Sequence, residues 1–192
     1  MARELSDRGG ATREHILDTA TQAFAEAGFQ GTSVREIAAR CGLTHPALIY
    51  HFPTKAALLM AVLERRDDTE GRAVSFDELR GRALLDELVA TVRRNVGRPG
   101  IVSLYATLSA EATDAGHPAH AYFARRYANL RAAVARAYRE AVEDGAREPV
   151  GGAGLAAAQL VAVMDGLQVQ WLLDPSVDMV AAVEAHLSAQ FP

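Results

Sequence analysis

Thr44, His45, Pro46, Ala47, Tyr50 and His51 set a hydroxyl, two imidazoles and a phenol beside two small apolar groups in one short run. On a single helix these residues suit the surface of a nucleic-acid duplex. Thr44 would stand at the helix N-terminus, where a hydroxyl and free backbone N–H groups bind phosphate. His45 and Ala47 would meet base edges and thymine methyls, while Tyr50 and His51 would touch the sugar-phosphate backbone. The competing reading is a generic amphipathic helix in a small bundle.

The residues around this run build the frame that presents it. Ser33 starts a helix, and Glu36 three residues later suits a capping box in which each side chain satisfies the other's backbone donor. Val34, Ile37 and Ala38 form the inward face of that helix. Cys41, Gly42 and Leu43 are a turn, with Gly42 free to take the positive φ that ends a helix. Cys41 is expected to fill space between two helices, with a redox switch as the alternative. Thr44 caps the second helix, and Pro46 falls in its first turn, where a missing N–H costs little. Helix, glycine-bearing turn and helix at this spacing is the helix-turn-helix layout, whose second helix enters the major groove. The chain is therefore expected to bind DNA.

Over residues 11–66 the chain resembles the TetR family of bacterial one-component transcriptional regulators. The resemblance rests on an ordered string: Glu26-Ala27-Gly28-Phe29, then Gly31 through Ala38, the turn, Tyr50-His51-Phe52, and Lys55-Ala56-Ala57-Leu58-Leu59. It implies that Arg35 reaches into the groove, where its fork fits guanine O6 and N7, and that Lys55 meets a phosphate. It adds Thr32 and Ser33 to the expected DNA-binding surface. One departure stands out: the family places an aromatic after the recognition-helix leucine, and here Leu48 is followed by Ile49.

Charge and composition bound the rest. The 192 residues carry a net charge of −4, but residues 1–66 hold 8 basic and 7 acidic side chains against 12 and 17 in the remainder. The acidic surplus thus lies outside the expected head, and DNA affinity follows local neutralisation rather than total charge. Lys55 is the only lysine. One cysteine excludes an internal disulfide framework and fits a cytoplasmic protein. No secretory signal opens the chain, and the apolar runs read as far short of the ~20 residues a bilayer span needs, so no membrane partner is expected.

The whole chain reads as all-α, about nine helices: a mobile arm over 1–11, a helix-turn-helix head over 12–66 and a larger helical ligand-binding and dimerisation body over 67–192. Thr12 to Ala27 is an amphipathic helix ended by Gly28, and Thr54 caps the helix that leaves the head. Asp174-Pro175 is expected to cap and start the last helix.

Two surfaces in the body attract function. Ser103, Thr107 and Glu111, two helical turns apart in all, share a largely apolar helix with Tyr105 and Leu108. With Tyr122, Tyr127, Met164, Gln168 and Trp171 they could line a mostly apolar effector cavity with a few polar anchors; the alternative is a solvated face plus ordinary core aromatics. The helix from Leu155 to Leu173 is apolar on most sides, and Gly166 in its interior suggests close approach of another backbone. The resemblance implies that the last two helices pair with their copies in a homodimer, through Leu160, Val163, Leu167, Val180, Val183 and Leu187. Core burial within one subunit is the alternative.

No nucleophile elbow, phosphate-binding glycine loop or zinc-ligand spacing is present, so neither catalysis, a cofactor nor a metal is expected. His117 and His120 read as surface residues. The sequence thus points to a repressor that binds a palindromic operator in double-stranded DNA as a homodimer and is released by a small, largely apolar molecule. A ligand-independent or activating regulator, a helical protein that never meets DNA, and an enzyme remain as alternatives.

Overall fold

The computed structural model describes the backbone of residues 2–73 and 78–190 and the side chains of 10–67 and 78–190. Among the described residues there are nine helices and no strand: α1 (Ala2–Gly31), α2 (Val34–Arg40), α3 (His45–His51), α4 (Lys55–Ala73), α5 (Gly81–Val96), α6 (Pro99–Glu111), α7 (His120–Glu143), α8 (Ala153–Leu173) and α9 (Met179–Gln190).

The helix expected from Thr12 extends back to Ala2. The backbone over 2–11 is thus helical where an arm was expected: Ala, Arg, Glu and Leu are strong helix formers, and each glycine in the pair Gly9-Gly10 costs only about 1 kcal/mol. At the other end Gly28 leaves helical geometry, with φ 68° and ψ −175°.

Contacts divide the chain into two compact units, one of residues 1–70 with 103–121, the other of 71–102 with 122–192. The first is more than the expected head, because it takes in most of α6 and the turn after it. Its buried side chains include Ile16, Leu17, Phe24, Ile37, Leu48, Leu58, Leu59, Leu63, Leu104 and Leu108. The spacing that marked α1 and α4 as amphipathic thus returns as one buried face on each. Arg65 on α4 reaches back to α1, pairing with Glu14 and Asp18.

In the second unit, Leu84, Leu85, Leu88 and Val92 of α5, Val134 and Tyr138 of α7, Leu160 and Trp171 of α8, and Val183 and Leu187 of α9 share one core. The start of α9 differs from expectation. Asp174 ends α8, and its carboxylate accepts from the Ser176 N–H and hydroxyl. Asp178 performs the N-cap, accepting from the Ala181 N–H at 3.0 Å. In length and apolar content α8 does meet what a bilayer span needs, contrary to the sequence reading. One of its faces nevertheless lies in this core, which is the position of a core helix in a globular unit.

Candidate nucleic-acid interface

The helix-turn-helix is held by local bonds that the sequence spells out. Ser33 has extended backbone geometry, and its Oγ accepts from the Glu36 N–H. Only half of the capping box forms, because the Glu36 carboxylate pairs with Arg40 at 2.7 Å. Arg40 also holds Glu26 at 2.7 Å and so ties α2 to α1. Gly42 takes φ +66°, and the Leu43 N–H reaches back to the Ala38 carbonyl, closing the end of α2. Thr44 Oγ1 accepts from the Ala47 N–H at 3.4 Å, and Thr54 Oγ1 from the Ala57 N–H at 3.0 Å.

Inside α3 one side chain, Leu48, is fully buried and anchors the helix. Thr44, His45, Pro46 and Tyr50 are exposed, Ala47, Ile49 and His51 half-buried, and Arg35 on α2 is exposed. Tyr50 is 85% exposed, its ring edge-on to that of its neighbour His51 at 5.4 Å. Ser33 is exposed too, with its oxygen engaged as a cap.

Two of the residues expected at the DNA have internal partners. Thr32 is buried, and its hydroxyl donates to the Ala23 and Gly28 carbonyls, at 3.1 and 2.7 Å. The side chain thus turns inward and closes the α1–α2 corner. Lys55 is half-buried, and its Nζ donates to the Phe29 and Thr32 carbonyls at 2.7 and 2.9 Å, with the Phe29 ring 4.3 Å away. The expected phosphate ligand is therefore first an internal staple between α4 and the corner.

The family description "Bacterial regulatory proteins, tetR family" matches residues 16–62, and "BetI-type transcriptional repressor, C-terminal" matches residues 80–192. The chain belongs to the TetR family. It is a DNA-binding transcriptional regulator, and its α3 is the recognition helix of the family's helix-turn-helix. The regulator TtgR of Pseudomonas putida is 27% identical over 96% of this chain and 91% of its own length. AcrR of Shigella flexneri is 37% identical, but over only 37% of this chain and 33% of its own. Among solved structures, a complex of SmeT with triclosan superimposes with a TM-score of 0.74 at 22% identity, covering 95% of this chain and 92% of that one.

The ten residues expected to line an effector cavity fall in both units. In the first, Ser103 Oγ donates to the Ala25 carbonyl at 2.8 Å, and the Glu111 carboxylate accepts from the Phe29 N–H at 2.7 Å. The Tyr105 ring lies under the Arg66 guanidinium at 4.1 Å, Leu108 is buried and Thr107 is half-buried. Two of the expected polar anchors are thus engaged with backbone. In the second unit, Tyr122 packs edge-on against Phe123 and the Tyr127 hydroxyl donates to Asp165 at 2.8 Å. Met164 and Trp171 are core residues, and Gln168 is half-buried. Burial raises the Asp165 pKa above the usual aspartate value, with the Tyr127 hydrogen bond and Arg126 acting against it.

Sequence reasoning missed Asp165 and the partners of Glu111. Asp165, one acid in an otherwise uncharged helix, carried the signal for the first. Nothing local signalled the second, because Phe29 is 82 residues from Glu111. His117, expected at the surface, is buried, with its ring edge-on to Phe29 at 5.0 Å.

The expected dimer residues also divide. Leu160, Val183 and Leu187 are at most 2% exposed within one chain, so that chain's own core consumes them. Val163, Leu167 and Val180 are half-buried.

Proposed function

We propose that this TetR-family protein is a cytoplasmic repressor that binds a palindromic operator as a homodimer and releases it when a small, largely apolar molecule binds the second unit. The observation that carries the reading is the exposed face of α3: Thr44, His45 and Tyr50 stand in solvent on a helix whose ends are capped and whose Leu48 is locked in the core. Arg35, Ala47 and His51 flank it, and Ser33 and Pro46 shape its approach.

One short helix reads too few bases alone. A two-fold dimer presents two, spaced about 34–36 Å or a multiple apart along the duplex. The dimer surface fits the outward side of α8 and α9 better than the residues first expected. Leu155, Val169 and Leu173 are 51, 48 and 83% exposed. Between them lies Gly166, exposed, and among the described residues no side chain or other helix comes within 4 Å of where its Cβ would stand. A mid-helix glycine costs about 1 kcal/mol, and close approach by a partner's helix gives it a use. Ala181, Ala185 and Ala189 continue a smooth, exposed surface on α9.

The effector reading draws support from the triclosan bound by SmeT and from the aromatic and sulfur side chains of the second unit. Tyr122, Tyr127, Met164, Gln168 and Trp171 supply apolar surface, and the Tyr127–Asp165 pair supplies its polar point. The test is selection of bound duplexes from random oligonucleotides, then titration of the selected duplex with and without apolar compounds that raise the melting temperature. Enrichment of an inverted repeat, and weaker binding with a stabilising compound, is the expected result. Compounds that stabilise the protein yet leave DNA affinity unchanged would favour a ligand-independent regulator.

A further inference from the structure

In an unbroken helix the Phe29 N–H would bond the Ala25 carbonyl four residues earlier. Gly28 breaks the helix between them, with φ 68° and ψ −175°, and leaves both groups in need of partners. α6 supplies both. Ser103 Oγ donates to the Ala25 carbonyl at 2.8 Å, and Glu111 Oε2 accepts from the Phe29 N–H at 2.7 Å. Ser103 and Glu111 are two helical turns apart, so one face of α6 spans the broken turn. The fit is close: a Cβ on Gly28 would collide with Glu111 Oε1.

The far side of the same corner holds the starts of α2 and α4. The Phe29 and Thr32 carbonyls receive Lys55 at the start of α4, and Thr32 precedes Ser33, the cap of α2. His117 supports the carboxylate. Its Nδ1 accepts from the Ala119 N–H at 3.2 Å, which leaves the neutral ring's proton on Nε2. Among the described residues that buried Nε2 has no hydrogen-bond partner, and it lies 3.7 Å from Glu111 Oε2, close enough to attract the carboxylate electrostatically.

We propose that Ser103 and Glu111 are positioning residues for DNA recognition: from α6 they hold the broken turn at Gly28 and so set the corner from which α2 and α4 depart. The functional DNA-binding head then includes residues 103–121, beyond the 12–66 that the helix-turn-helix alone suggests. The inference rests on the DNA-binding reading, and it assigns a role to polar side chains first expected to contact an effector.

The test uses the full chain and a duplex selected by the wild-type protein from random oligonucleotides. It compares Glu111→Ala, Glu111→Gln and Glu111→Asp, with exposed Thr113→Ala as control. Gln keeps an acceptor at the same reach without charge; Asp keeps the charge and loses the reach. Loss of a hydrogen bond to a charged group supports roughly tenfold effects. The expected result is roughly tenfold weaker duplex binding and faster Phe29 amide exchange for Ala and Asp, with Gln and the control within about threefold of wild type. Wild-type affinity in Glu111→Ala overturns the role, as does unchanged Phe29 exchange. Should Glu111→Ala fail to fold, Asp and Gln decide, and equal affinities for those two overturn the proposal. A wild-type chain that selects no duplex refutes the DNA-binding reading itself, a failure distinct from these.

Discussion

Lys55 Nζ donates to the Phe29 carbonyl at 2.7 Å while standing 4.3 Å over the ring of the same residue. Together with the bond to Thr32 it fastens the first turn of α4 to the end of α1. Lys55→Ala is therefore expected to destabilise the protein by about 1–3 kcal/mol, measured by urea denaturation. It should weaken DNA binding with little change in the slope of log affinity against log salt. A slope smaller by about one unit would instead mark Lys55 as a phosphate ligand.

Thr32→Val keeps the shape of the side chain and removes its hydroxyl. The Gly28 and Ala23 carbonyls then lose a buried donor, at an expected cost of about 1–2 kcal/mol. Because Thr32 is buried, the sequences selected from random duplexes should match those of the wild type. A shift in base preference without loss of stability would place Thr32 at the DNA after all.

Much of this site was legible in the sequence because its determinants are local. The caps at Ser33, Thr44 and Thr54, the positive φ of Gly42 and the inward Leu48 each follow from a few adjacent residues. The roles of Lys55 and Glu111 were not, since each depends on a partner far off in the chain; Glu111 meets an amide 82 residues away. The faces of α8 were hard to tell apart for another reason. A helix apolar on nearly every side carries no periodicity to mark the face turned to its own core, so the full burial of Leu160 and the exposure of Leu173 do not follow from spacing. At Asp174-Pro175 a plausible cap signal lay four residues ahead of the cap in use, Asp178.

The outward face of α8 can be tested against its buried face. Leu173→Glu, at a position 83% exposed, should leave the melting temperature of the isolated chain nearly unchanged and shift sedimentation from dimer to monomer. Leu160→Ala, fully buried, should instead destabilise the fold by about 2–5 kcal/mol. Dimers that survive Leu173→Glu would move the interface elsewhere.

Asp165 gives a pH signature. Burial raises its pKa in the folded state, so the folded chain binds this proton more tightly than the unfolded chain does. Its contribution to stability therefore falls as pH rises from the ordinary aspartate range through the raised value, and is restored on acidification. Asp165→Asn keeps an acceptor for Tyr127 and should flatten that fall, read from urea midpoints across the acidic range. An unchanged pH profile would show that Asp165 titrates normally.

The exposed face of α3 carries the DNA-binding reading most directly. Parallel selections from random duplexes with wild type and His45→Ala measure it in one experiment. The wild type should enrich an inverted repeat. His45→Ala should relax preference at one position in each half-site, at about 1–3 kcal/mol, with the rest of the site intact. The same enriched sequence from both proteins, or no enrichment from the wild type, would contradict it.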